Sequence, residues 1–278
     1  MVCCMGTLLV LINLQAQERG HYLFLETGMG PTAIECHLKN GNQIKDVGYQ
    51  LTVGYGYFFH PNWGVETGLG IQTFRSQIVL SSMSGYSSVD KSGIAYEYRN
   101  YFNGWQEKQN FTLLSIPVGL RGVFPVFDHL GLTASGGVKL LMPVSSTYAY
   151  SDGSITTTGY YSSTNMEFMN QPQNGFTTIN QLPSDKIHLG LSCAGYANIG
   201  VVCQLTPVVR INVGTYVDYG PSNWINPQKN PVYQSDGHYN DVMHSDRVTQ
   251  NHYLSYGLKL GLSWYLGDRL FGCHCSRD

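Results

Sequence analysis

The sequence predicts an all-β fold, a single up-and-down antiparallel barrel that crosses a membrane. Three observations favour this fold. Long stretches alternate with a period of two between apolar residues and small or polar ones. Short and long connections between these stretches also alternate. The composition combines 32 glycines and 20 tyrosines with only 12% charged residues over 278 residues, a balance that suits strands with a small-residue face.

The clearest alternation lies near the carboxyl terminus, where residues 251–266 read NHYLSYGLKLGLSWYL. From Leu254 to Leu266 the even positions are leucine, tyrosine or tryptophan, and the odd positions include serine, glycine and Lys259. A period of two would scatter these leucines around a helix, whereas a strand places them all on one side. The stretch therefore predicts a strand with one apolar face.

The same pattern predicts seven further strands, most of them ten or more residues long. They lie near 21–31, 48–59, 63–75, 111–124, 130–142, 187–205 and 208–219. Globular strands average about 5–6 residues, and membrane-spanning strands need about 9–11. The polar faces carry mainly Gly, Ser, Thr, Asn and Gln rather than charge. An eight-stranded barrel with its apolar face outward explains both faces, whereas a soluble ligand-binding barrel would need a more charged exterior.

The connections predict which end of the barrel faces which side. Short ones at 60–63, 125–129 and 206–207 alternate with long ones at 35–47, 76–109, 145–186 and 220–250. Outer-membrane barrels have short periplasmic turns and long extracellular loops. Residues 92–102 within one long connection have strand-like composition. Either the hairpins extend above the membrane or the barrel has ten strands.

The chain ends predict processing and a tail. An apolar core from Leu8 to Leu14 precedes Ala16, which is the pattern of a secretory signal peptide; a buried strand or helix is the alternative. We therefore predict a signal peptide at 1–17, a barrel domain at 18–267 and a periplasmic tail at 268–278.

One strand resembles a known family. Residues 111–121 read FTLLSIPVGLR and are similar to the aromatic-x-x-Leu-x-Ile-Pro strand of outer-membrane β-barrel domain proteins of Bacteroidetes-type bacteria, which are small OmpA-like or PorT-like barrels. The resemblance implies eight strands in the cell outer membrane, inserted by the barrel assembly machinery. That machinery recognises a last strand that ends in an aromatic residue, and Trp264 and Tyr265 stand at this place in the chain. The chain departs from the pattern by continuing from Gly267 to Asp278.

Charged residues at inward positions predict the state of the interior. By parity they are Glu26, Glu66, Arg121, Lys139, Arg210, Asp218 and Lys259. Unpaired buried charge is costly, and eight strands leave an interior just wide enough for side chains. We predict a filled, salt-bridged interior rather than an open pore, with Glu26 and Lys259 as a candidate pair across the closing strands. A proton or ion path is the alternative.

Aromatic residues at strand ends predict the membrane interface. Trp and Tyr concentrate where the hydrocarbon meets water. Trp63, Trp264 and Tyr265 stand near the predicted periplasmic end and are assigned to this girdle.

The sequence favours no catalytic centre. His188 and Ser192 share a face but lie about 13 Å apart at ~3.3 Å per residue, far beyond the contact that a nucleophile and its base require. His252 and Ser255 have opposite parity and face apart. We therefore predict that the chain is not an enzyme.

Two clusters could ligate a metal, and neither is favoured. Residues 236–246 gather two His and three Asp, which suit a divalent ion, but a solvated polar loop is the simpler interpretation. Cys273, His274 and Cys275 are too few and too close for a four-ligand cage. We predict no metal and no cofactor.

These features predict a non-enzymatic barrel that supports the envelope or presents loops for binding. Residues 147–176 are rich in Tyr, Ser, Thr, Asn and Gly, a composition that makes good contact surfaces. Expected partners are outer-membrane lipid, the assembly machinery and an extracellular ligand. A formal net charge of -2 argues against nucleic acid. The alternatives are a lipid-modifying enzyme and a small-solute pore or secretion accessory.

Overall fold

Antiparallel β-structure dominates the chain. The computed structural model describes residues 20–127, 129–182, 184–220, 223–226 and 229–267. The strands in these ranges are β1 Gly20–Leu38, β2 Gly41–His60, β3 Trp63–Leu80, β4 Met83–Val89, β5 Ala95–Phe127, β6 Leu130–Tyr161, β7 Met166–Phe168, β8 Thr178–Ile179, β9 Asp185–Lys186, β10 Ser192–Gln204, β11 Val209–Tyr219 and β12 Val248–Gly267. Short 3-10 helices span Pro172–Asn174 and Val242–His244. The predicted signal peptide and the tail with Cys273, His274 and Cys275 lie outside the described residues.

Eight of these strands close a barrel. Hydrogen-bonded neighbours follow chain order as β1, β2, β3, β5, β6, β10, β11 and β12, and β12 returns to pair with β1. Every pair is antiparallel. In the closing pair Gly28 lies opposite Lys259 and Glu26 lies opposite Gly261. The predicted eight-stranded up-and-down barrel is confirmed.

The barrel exterior is apolar because successive side chains on a strand point to opposite faces. On β12 Leu258 is 65% exposed, whereas Ser255 and Ser263 on the other face are buried. We name the apolar exterior the lipid-facing belt. It includes Leu25, Val53, Leu69, Leu120, Leu132, Ile199, Val213 and Leu260. An apolar surface that encircles the molecule suits hydrocarbon rather than water.

The hairpins are short at the periplasmic end and long at the other. β5 has 33 residues and β6 has 32, far more than the ~9–11 that cross a membrane. Their outer halves join β4 and β7 in a sheet above the belt. Of the two alternatives left open by the sequence, the hairpins therefore extend above the membrane. We name this part the head; its described residues lie within 33–47, 75–110, 145–191 and 223–252.

A bulge in the head reverses the inward parity of β5. Gly104 has φ +62° and Gly153 on β6 has φ +92°, and a Cβ on Gly153 would lie 2.2 Å from the Gly104 carbonyl oxygen. Below the bulge the buried residues are odd-numbered, such as Trp105; above it they are even-numbered, such as Phe102. The two glycines therefore permit the extra residue that turns the sheet. In the described ranges no helix is long and apolar enough to span a membrane.

Candidate functional site

Four charged side chains meet inside the periplasmic half of the barrel. Arg121 Nη2 lies 2.7 Å from Glu26 Oε1, and Arg121 Nη1 lies 3.3 Å from Glu66 Oε2. Lys259 Nζ lies 2.6 Å from Glu26 Oε2. Because Glu26, Glu66 and Arg121 are all buried, each would be costly without its partners. The structure thus brings together the residues that the sequence suggested as a pair across β1 and β12.

A second ion pair lies one layer nearer the head. Lys139 Nζ is 2.6 Å from Asp218 Oδ2 and 3.3 Å from Gln50 Oε1. Both charged residues are buried. The seventh charge predicted for the interior, Arg210, instead stacks its guanidinium carbon 4.0 Å from the ring centre of Tyr265, a cation–π arrangement.

The predicted interfacial aromatics divide between two locations. Trp63 and Trp264 lie on the exterior, 42% and 37% exposed. Tyr265 instead packs inside, where its ring stacks 5.4 Å from that of Tyr22. Assigning Tyr265 to the girdle was therefore incorrect: its odd number places it on the inward face that it shares with Lys259.

Side chains fill the barrel around these charges. Tyr22, Phe58 and Val202 form a buried apolar layer at the periplasmic end. A cavity beside Glu26 and Arg121 measures about 20 Å³, room for about one water molecule. This part of the interior therefore suits structural support better than the passage of a solute.

Replacing Lys259 with methionine while Glu26 is kept will lower the temperature at which the barrel unfolds. Arg121 alone would then neutralise two buried carboxylates. The measurement is the heating temperature at which the detergent-gel mobility shifts. Lys45→Met, which removes the half-exposed partner of Glu35, is the control and should change little. An unchanged temperature for Lys259→Met would reject the pair.

The head has an apolar core of its own. Trp105, Ile78 and Ile155 are almost completely buried, and Val242 and Met243 from the connection between β11 and β12 pack with them. These two residues of the connection therefore pack into the apolar core of the head instead of extending into solvent.

Glu107 of β5 fastens this connection from within the head. Its Oε2 accepts hydrogen bonds from Tyr239 Oη at 2.7 Å and from the Val242 backbone N–H at 3.1 Å, and its Oε1 accepts from Gln109 Nε2 at 2.8 Å. The residue is fully buried. Burial, and next the negative charge of Asp241, raise the pKa of Glu107 to about 7. A single carboxyl thus joins the hairpin to the connection, and its protonation changes near neutral pH.

The loop considered for a metal is organised by its own hydrogen bonds. Asp241 Oδ2 lies 2.8 Å from His244 Nδ1, and His244 Nε2 lies 3.1 Å from the carbonyl oxygen of His188. The hydrogen bond to Asp241 raises the pKa of His244. Among the residues that the structure describes, no group of three or more His, Cys, Asp or Glu is placed to hold a metal ion.

The residues weighed for catalysis lie apart. His188 offers its carbonyl to His244 in the head, and His252 Nε2 lies 3.4 Å from Glu35 Oε2 near the outer surface. Ser255 is buried inside the barrel, with its hydroxyl 2.7 Å from Thr32 Oγ1. These contacts do not assemble a nucleophile, a base and an acid at one rim.

Sequence reasoning missed Glu107, Tyr239 and Trp105. All three lie in segments predicted as long connections. The usable signal was that Glu107 continues the odd inward positions of the strand that follows it. That signal ends at Gly104, where the bulge reverses the parity. Tyr239 has no periodic signal, because it reaches Glu107 through a contact between distant segments.

Closed antiparallel topology, an apolar exterior and a charged, filled interior define a class of protein. The chain is a transmembrane β-barrel of the outer-membrane type.

Comparisons with solved structures return barrels of this type. No protein-family model and no curated protein matches the sequence. Neisserial surface protein A has a TM-score of 0.42 at 10% identity, over 88% of this chain and 96% of that one. The outer membrane protein OprG of Pseudomonas aeruginosa has 0.37 at 13%, over 90% and 98%. The attachment invasion locus protein Ail of Yersinia pestis, bound to the heparin analogue sucrose octasulfate, has 0.31 at 11%, over 89% and 99%. At such values the likenesses carry no argument about function.

Proposed function

We propose that the chain is a non-enzymatic outer-membrane protein that holds a folded head at the cell surface for binding. The observation that carries this proposal is the buried core of the head, fastened through Glu107 to the connection between β11 and β12. A preorganised surface loses less conformational entropy on binding than mobile loops do. The head therefore suits recognition of an extracellular ligand.

The tip of the head offers polar and aromatic groups in fixed positions. The guanidinium carbon of Arg99 stacks 3.9 Å from the ring centre of Tyr160, and Arg99 Nη2 lies 2.7 Å from Glu97 Oε2. Glu167 accepts hydrogen bonds from Tyr101 and Thr158. These groups stand beyond the belt, where a partner outside the cell can reach them.

The same proposal places the chain with the Bacteroidetes-type barrel domain proteins that its strand at 111–121 resembles. Insertion would then depend on the barrel assembly machinery and on β12, whose exterior includes Trp264. Outer-membrane lipid would cover the belt. The ligand of the head would be an extracellular molecule and not nucleic acid, since the net charge is -2.

Trypsin treatment of intact cells that carry the protein tests the folded head. We expect cleavage after Lys91, which lies exposed in the turn between β4 and β5, and resistance after Arg247, which is 5% exposed. Rapid cleavage after Arg247 in intact cells would show that the connection is mobile, and it would overturn the proposal.

Single-channel recording tests the alternative of a small-solute pore. The refolded protein in a planar bilayer should give no stable conductance steps, because side chains fill the interior around Glu26 and Arg121. Reproducible open-channel steps that Arg121→Ala enlarges would favour the pore.

A further inference from the structure

The outward positions of β3 and β5 change from apolar to polar at one level. Thr73 lies opposite Thr112, and the next outward pair is Arg75 opposite Asn110. Ile71, the outward residue just before Thr73, is 46% exposed and belongs to the lipid-facing belt. Arg75 therefore stands at the upper edge of the belt, where lipid headgroups replace hydrocarbon.

Two further cations share this outer surface. Lys108 stands one outward position beyond Asn110 on β5, and Lys186 of β9 pairs with Thr147 of β6, which itself pairs with Asn110. We name Arg75, Lys108 and Lys186 the basic row; all three are exposed. Three strand spacings separate Arg75 from Lys186, or about 14 Å, with Lys108 between them.

The basic row lacks acidic partners. No ion pair within 4.0 Å involves any of its members in the part of the chain that the structure describes. Asp185 precedes Lys186 and accepts its backbone N–H at 2.7 Å, but alternation places their side chains on opposite faces. Lys45, by contrast, is paired with Glu35 elsewhere in the head. The row is therefore a free positive surface fixed on a rigid sheet.

We propose that the basic row binds the phosphate groups of an anionic glycolipid in the outer leaflet of the membrane. This inference rests on the proposed function, in which the folded head stands at the cell surface above the membrane. Clustered Lys and Arg beside a membrane bind anionic headgroups, and arginine matches phosphate geometry. The row faces sideways at headgroup level rather than outward from the tip of the head. A membrane lipid is therefore the anion that reaches it most directly, and binding would fasten one side of the head to the membrane surface.

Lipid binding by the purified full chain in detergent tests this inference. The probes are diphosphorylated lipid A, the same lipid without phosphates, and inorganic phosphate. Binding is followed by native mass spectrometry for the wild type and for the triple variant Arg75→Gln, Lys108→Gln, Lys186→Gln. We expect the triple variant to bind diphosphorylated lipid A more than about tenfold more weakly, because it lacks all three cations of the basic row. The lipid without phosphates should bind both proteins equally.

The matched control is Lys39→Gln, Lys91→Gln, Lys229→Gln, which removes three exposed lysines of the head that lie outside the row. It should bind diphosphorylated lipid A as the wild type does. Equal binding by the wild type and the basic-row variant would overturn the inference. Displacement of the lipid by millimolar inorganic phosphate would also overturn the inference, because the row would then bind phosphate without the lipid. Displacement by a soluble sulfated polysaccharide at equal concentration would overturn it as well.

Gel mobility separates failure of this inference from failure of the proposed function. All three proteins should migrate as folded barrels when unheated and shift on boiling. If the wild type shifts normally on boiling and the basic-row variant binds diphosphorylated lipid A as the wild type does, the lipid site alone is rejected. A wild type without any shift rejects the membrane barrel, and the lipid site with it.

Discussion

Replacing Arg121 with methionine will destabilise the barrel by about 3–5 kcal/mol, the range expected when one partner of a buried ion pair is removed. Arg121 contacts both Glu26 and Glu66. Among the residues that the structure describes, Glu26 would then keep only Lys259, and Glu66 only the hydrogen bonds from Tyr22 and Tyr196. The measurement is the urea midpoint of unfolding from detergent micelles, read by tryptophan fluorescence or by gel mobility.

The control for this prediction removes a carboxylate together with the cation. The variant Glu66→Gln, Arg121→Met removes the carboxylate that would otherwise lack a cation and leaves Glu26 paired with Lys259, and we expect it to regain more than half of the lost stability. If the single and double variants unfolded at the same midpoint, shape rather than charge would determine the role of Arg121. A single variant as stable as the wild type would show that the charges in this layer do not depend on one another.

The interior charges could be predicted from the sequence because a barrel permits only two side-chain directions. A slip of one residue would turn every side chain of a strand to the opposite face. The even positions of β1, such as Glu26, and the odd positions of β12, such as Lys259, therefore face inward along the whole membrane-spanning length. Their partnership also followed from topology, since the first and last strands of an up-and-down barrel must meet.

The same rule shows why Tyr265 was misplaced. Its residue type suits the interfacial girdle, and its position near a strand end suits it too. Its parity, however, matches that of Lys259, and the structure places the ring inside against Tyr22 and Arg210. In a strand whose register is fixed, parity decides the direction of a side chain and residue type does not.

The head could not be predicted in the same way. Gly104 and Gly153 introduce a bulge that interrupts the alternation. The segments before and after the bulge therefore show no single continuous pattern from which one long strand could be predicted. The connection between β11 and β12 has no repeating pattern, because its fold depends on contacts with distant segments, such as Trp105 with Tyr239. Composition indicated polar loops, and only tertiary packing shows that they enclose an apolar core.

The response of the head to pH depends on two buried or half-buried groups. The head depends on Glu107 and on His244, whose pKa values are both raised. Neutral pH is therefore where the stability of the head changes.

Raising the pH from 5 to 8 will loosen the connection between β11 and β12. The folded head holds the proton of Glu107 up to a pKa of about 7, whereas the unfolded chain releases it near the usual value of 4.5. Between these values the folded state binds more protons, so its stability falls by up to about 1.4 kcal/mol per pH unit and levels off above 7. His244 adds to this trend, because its stabilising contribution is complete below 6.5 and disappears as the pH passes its raised pKa. The measurement is hydrogen exchange at the Val242 amide, corrected for intrinsic rates.

The variant Glu107→Gln separates the contribution of this carboxyl from that of His244. The neutral amide keeps an oxygen for Tyr239 and Val242 but turns a donor toward Gln109, so the variant will be less stable at pH 5 than the wild type. Its protection should lose most of the dependence on pH between 5 and 7 and keep the part due to His244. Glu97→Gln, at the exposed tip of the head, should leave the wild-type profile intact. A Glu107→Gln profile parallel to that of the wild type would mean that Glu107 holds the same charge throughout this range, and that His244 alone makes the head sensitive to pH.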